Sequence, residues 1–223
     1  MPAGIWFAGI ADELHVKGDL NLLGRITKYP KRIFVSGSLV INRHDESILT
    51  EEHSSLLENV SIDAGLNFFI TGNNLLKLPH SVRARSINIK KCSKLSSLPE
   101  GMNGISINVS ECHQLVNLPK QIHAYLVVIE DCDGLRELPL NCPFSNDFLN
   151  HGSIELAFKR CHNLQQQIPD NWSGIPFQSL MVTFDVSDKD RCDLWLQHKR
   201  RCKLNGSCDC EVPVIGGGLS QSN

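Results

Sequence analysis

The chain has 223 residues, with 22 basic against 24 acidic side chains and a formal net charge of −2 at pH 7. That length suits one domain with a sizeable core, or one elongated array. The near-neutral charge gives no push toward nucleic acid or an anionic membrane, and no apolar run approaches the length of a membrane span.

The start, Met1 to Ala11, contains the apolar stretch Ile5–Ala8 but lacks a basic flank and a full apolar segment, so it does not read as a secretory signal. Residues 1–19 are expected to form an N-terminal cap, with Trp6 and Phe7 as its lid. A degenerate strand-like unit follows at Leu20, Leu22, Ile26, Tyr29 and Pro30, and another pair at Leu39 and Ile41. The segment 46–58 predicts a short helix with Ile48, Leu49, Glu52, Leu56 and Leu57 on one stripe. Val60 and Ile62 form a further pair only eight residues before Phe68, too close for a full unit. A hairpin and an irregular unit are both open there.

From Ile87 a pattern recurs every twenty residues: Ile87, Ile89, Cys92, Leu95, Leu98, Pro99; then Ile107, Val109, Cys112, Leu115, Leu118, Pro119; then Val127, Ile129, Cys132, Leu135, Leu138, Pro139. Phe68, Ile70, Asn73, Leu75, Leu78 and Pro79 give the same frame one residue shorter. Leu156, Phe158, Cys161, Leu164, Ile168 and Pro169 give it one residue longer. The alternating aliphatic pair predicts a short strand with one face inward. A Cys or Asn follows where the chain turns away, and a small side chain there can bond to turn backbone. Leu-x-x-Leu-Pro suits an extended return, because proline fixes its dihedral and lacks an N–H. One such unit cannot bury its apolar face alone, so the units must stack.

The repeat is similar to leucine-rich repeats. Its length and Leu-Pro ending resemble the LPX-type repeats of Gram-negative type III secreted effectors, the YopM and IpaH group. The wording CSKLSSLPEGM (Cys92 to Met102) also resembles repeats of plant nucleotide-binding immune receptors. The likeness covers roughly residues 66–170. It implies an α/β solenoid: a short curved parallel β-sheet with extended returns and capping helices. The ubiquitin-ligase domain of the IpaH type, with its catalytic Cys, is expected to be absent. By the same likeness, the setting is secretion by a type III system into host cytoplasm, with a host protein as partner.

The expected array runs over 20–186, with a regular core over 66–170 and an insertion over 141–153. A last strand is expected near Leu180, Val182 and Phe184. A C-terminal cap is expected over 187–211, where Ser187 and Asp190 are spaced as a capping box and basic residues gather at the far end of a helix over 188–203. Residues 212–223 read as a disordered tail.

Of nine cysteines, Cys92, Cys112, Cys132 and Cys161 all take the turn position and read as buried free thiols. The remaining five are an odd number, which points to a reducing compartment. Cys192, Cys202, Cys208 and Cys210 lack the pair spacing of a zinc knuckle, so no metal ligands and no cofactor are assigned. An alternative enzymatic reading uses Cys202 or Cys208 as nucleophile with His198, since Arg200 and Arg201 favour a thiolate. No base-and-oxyanion arrangement accompanies it.

Between the inward aliphatics, Asn88, Asn108 and Val128 face outward in one column, and Lys90, Ser110, Glu130 and Lys159 in the next. Lys91, Glu111, Asp131 and Arg160 lie beside them. A mixed polar face with an acidic centre and basic flanks is expected, and these eleven residues are the candidate site of a non-catalytic, protein-binding concave face. The other possible origin of such a chain is a repeat fragment of a plant-type immune receptor.

Overall fold

In the computed structural model, the alternating pairs are strands. The structure describes residues 12–22, 28–41, 51–72, 74–144, 149, 153–165, 168–172, 175 and 179–184. All lie in one compact unit, Met1–Asp185. The expected lid at Trp6 and Phe7, the helix over 188–203 and the C-terminal cysteines lie outside the described residues.

Among the described residues, thirteen strands pair in parallel in two sheets. β1 (Glu13–Val16), β3 (Arg32–Val35), β5 (Ser61–Ala64), β7 (Ser81–Arg83) and β9 (Gly101–Asn103) follow one another in a five-stranded sheet. The second sheet has eight strands. β2 (Leu20–Leu22), β4 (Leu39–Ile41), β6 (Asn67–Thr71), β8 (Ser86–Lys90) and β10 (Ser106–Ser110) lead to β11 (Leu126–Glu130), β12 (Ile154–Lys159) and β13 (Leu180–Phe184). The chain alternates between the two, so each rung from β1 to β10 holds one strand of each sheet. The product is a repeat-like fold of parallel strands with few helices.

The register is that of the sequence pattern. Ile107 pairs with Ile87 on one side and Val127 on the other. Val109 lies between Ile89 and Ile129 in the same way. These six side chains are all buried, as are Leu95, Leu115 and Leu135 behind them. Burial alternates along β8, β10 and β11, as a strand with one covered face requires.

The one-sheet expectation is corrected by the five-stranded sheet, which also accounts for Val60 and Ile62. Ile62 belongs to β5, in the same rung as β6, and only the corner at Gly65 and Leu66 separates the two strands. The chain turns such a corner in each rung from β1 to β10. At the equivalent corner, Gly104 lies so close to the preceding rung that a Cβ would meet the Ala84 carbonyl oxygen at 2.7 Å. The Leu-x-x-Leu-Pro segments over 75–79 and 95–99 lead from the eight-stranded sheet to the five-stranded one, and one bridge joins Ser97 to Asn117.

The cysteine turn has a common geometry. The Leu95, Leu115, Leu135 and Leu164 N–H groups donate to the carbonyls of Cys92, Cys112, Cys132 and Cys161 at 2.9–3.2 Å, closing a turn that sets the Cys-x-x-Leu spacing. Each thiol donates to the carbonyl two residues back: Lys90, Ser110, Glu130 and Lys159, at 3.6, 3.4, 3.3 and 3.5 Å. The residue between is left-handed every time: Lys91 (φ 55°), Glu111 (56°), Asp131 (53°) and Arg160 (50°).

The predicted helix appears as α1 (Glu51–Glu58), with residues 46–50 outside the described set. In the chain it lies between β4 and β5. It packs through Leu57, and the Ser54 hydroxyl accepts the Leu76 N–H at 2.8 Å. Part of the 141–153 insertion is packed: Phe144 is buried and the Pro143 carbonyl accepts the Ile122 N–H at 2.7 Å. Trp172, in a 3-10 turn, is buried and donates to the Pro139 carbonyl at 3.1 Å. The expected last strand is β13, whose Phe184 stacks on Phe158 with centroids 5.5 Å apart. Among the described residues, no helix is long and apolar enough to cross a membrane.

Candidate functional site

Parallel pairing without offset turns residues at equivalent sequence positions into columns. On the outward face of the eight-stranded sheet, Phe69, Asn88, Asn108, Val128 and Ala157 are successive partners. Thr71, Lys90, Ser110, Glu130 and Lys159 form the next column. Beyond the strand ends, the Lys91, Glu111 and Asp131 N–H groups donate to the Ser110, Glu130 and Lys159 carbonyls at 2.9–3.0 Å. The left-handed residues therefore make a third column, ending at Arg160. All eleven residues singled out from the sequence fall in these columns.

The first column is a ladder in its middle. Asn108 donates its amide to the Asn88 side-chain oxygen at 3.2 Å, and Asn88 donates to the Ser86 hydroxyl at 3.2 Å. Ser106 and Ser86 share a hydroxyl contact at 3.0 Å. The column is not open along its whole length, because Ala157 and, in the second column, Thr71 are buried.

The charges pair across rungs. Lys90 reaches Glu111 at 3.2 Å. Arg160 grips Asp131 with two nitrogens at 2.8 and 2.7 Å and places Nη2 2.6 Å from Glu130. The Arg160 hydrogen bonds hold the Asp131 carboxyl below its usual range, and the same contacts raise the affinity of Arg160 for its proton. Such a fork-shaped contact is the geometry in which an exposed ion pair is best defined.

A fourth column escaped the sequence reading. Directly after each turn cysteine stand Ser93, His113, Asp133 and His162. Asp133 accepts the His162 N–H at 3.3 Å and lies 4.0 Å from His113 Nδ1. The twenty-residue register was the signal that could have found it. Among the described residues, no group of three His, Cys, Asp or Glu side chains is placed to hold a metal ion.

Three of the turn cysteines, Cys112, Cys132 and Cys161, are unsuited to nucleophilic chemistry. The Cys112 thiol is drawn down by Cys132 but pushed up by Cys92 and by burial, to about 12. Cys132 is raised by its hydrogen bond with Cys112 and by burial, and burial lifts Cys161 to about 11. Thiols that stay protonated and covered are inert packing groups. Cys202, Cys208 and His198 lie outside the described residues.

Comparison with protein-family models, with curated proteins and with solved structures finds no match to this chain.

Proposed function

We propose that this chain is a non-catalytic leucine-rich repeat solenoid of the LPX type that binds a partner protein on the outward face of its eight-stranded sheet. In this reading it acts as do the type III secreted effectors its repeats resemble, and the partner is a host protein met in reducing cytoplasm. The free thiols of the turn column, buried at Cys92, Cys112 and Cys132 and half-buried at Cys161, suit such a compartment.

The observation that carries the reading is the left-handed column. A residue with a Cβ costs roughly 1–2 kcal/mol in that conformation, and glycine would remove the clash. Lys91, Glu111, Asp131 and Arg160 nonetheless occupy it, rung after rung, at the border of the polar face. Strain retained beside charged side chains points to use of the charges themselves. The test is affinity capture from a host-cell lysate with the intact chain and with a Glu130→Lys, Asp131→Lys variant. The parent should retain a partner that the variant loses while keeping its circular dichroism. Capture unchanged by the double reversal would count against this face.

A further inference from the structure

The rim charges are ordered along the stack. Successive rungs present Lys90 with Lys91, then Glu111, then Glu130 with Asp131, then Lys159 with Arg160. The rung before them carries the uncharged Thr71 and Gly72. The sign therefore runs positive, negative, negative, positive, and it reads the same from either end.

That symmetry restricts what can sit on the face. Two copies meeting through it in register set like against like on every rung, whether they run the same way or opposite ways. Like-charge contacts oppose association. A second copy in register is thus disfavoured, and the complement is a surface that runs negative, positive, positive, negative.

Spacing narrows the occupant further. Adjacent rungs are about 4.8 Å apart, so four rungs span about 14 Å. Side chains at i, i+3, i+7 and i+10 on an α-helix lie on one face and span about 15 Å. Same-face residues of an extended strand recur every ~6.6 Å and reach about 20 Å over the same three steps. A helix laid along the stack stays in step with the rungs, whereas a strand drifts off.

The acidic centre can still accept donors. Arg160 uses three hydrogen bonds on Asp131 and Glu130, while two ionised carboxylates together offer about eight lone-pair sites. Incoming basic side chains can add to these contacts without displacing Arg160.

We infer that, given the protein-binding reading above, the partner presents an α-helix of about three turns whose exposed stripe runs acidic, basic, basic, acidic along the rungs from Lys91 to Arg160. The experiment uses the intact chain and two synthetic helical peptides of identical composition. One carries Glu, Lys, Lys, Glu at i, i+3, i+7 and i+10, the other Lys, Glu, Glu, Lys. Fluorescence anisotropy should show the first binding about tenfold more tightly, with the preference shrinking as salt is added. The Glu130→Lys, Asp131→Lys chain should lose the preference, and Lys91 shows that lysine adopts the left-handed position. Equal binding, the opposite preference, or binding of neither peptide overturns the helix proposal. If neither peptide discriminates but lysate capture still depends on Glu130 and Asp131, the face binds a protein of another shape. If capture itself ignores the reversal, the protein-binding reading falls separately.

Discussion

Replacing Ile107 by alanine tests whether the stacked seam carries the stability. Ile107 is buried to 1% exposure in β10, between Ile87 and Val127 of the neighbouring rungs. Truncation removes three carbons, worth about 2.4 kcal/mol in transfer at ~0.8 kcal/mol each. The ladders on both sides limit collapse into the gap, so a cavity term adds to this and the expected loss is about 3–4 kcal/mol. The control is Ile105→Ala, two residues earlier, where the side chain is 54% exposed. That change should stay within about 0.5 kcal/mol. Urea unfolding followed by circular dichroism measures both, with the slope compared to check that the same surface is exposed. Equal losses for the two variants, or a loss under about 1 kcal/mol for Ile107→Ala, would refute a shared apolar seam as the source of stability.

Other outcomes follow from the corner, the ion pair and the thiols. Gly104→Ala should cost about 1–3 kcal/mol by overpacking, because its Cβ would meet the Ala84 carbonyl; an unchanged urea midpoint would contradict the close approach. Arg160 holds the folded Asp131 carboxyl below its unfolded value, so this contribution is full above the unfolded pKa, about 4, and is lost as pH falls through the folded one. The Tm gap between the parent and Arg160→Gln should therefore be present at pH 7 and close in acid. For Cys112 the folded value lies at about 12, so its contribution is full below the unfolded value of about 8.5 and is lost as pH rises toward the folded one. Cys112→Ala should flatten that alkaline limb in Tm measurements, and a thiol reagent should label Cys92, Cys112 and Cys132 only after unfolding.

The candidate face was legible because a twenty-residue repeat paired without offset converts sequence positions directly into columns. Asn88 beside Asn108, and Lys90 beside Ser110 and Glu130, needed only that rule. The ion pairs were not legible to the same degree. Arg160 reaches Asp131 and Glu130 from 29 and 30 residues away, across the insertion. The register set Arg160 after Asp131 in one column, and the structure added the fork by which it holds both Asp131 and Glu130.

By itself, the sequence determined the inward columns, the cysteine turn and the spacing of its leucines, since these depend on local alternation and one short hydrogen-bonded turn. Only the tertiary structure decided that most rungs hold two strands. Ile62, Val82, Met102 and Ile122 also recur every twenty residues and are each 1% exposed. Three of the four sit in strands of three or four residues, and Ile122 precedes a single bridge at His123. Ile62 already read as half of a strand-like pair, but a lone aliphatic such as Val82 or Met102 in a three-residue strand carries no alternation of its own. It becomes a strand when the neighbouring rung supplies its hydrogen bonds, and the choice of that neighbour is made by the stacked chain.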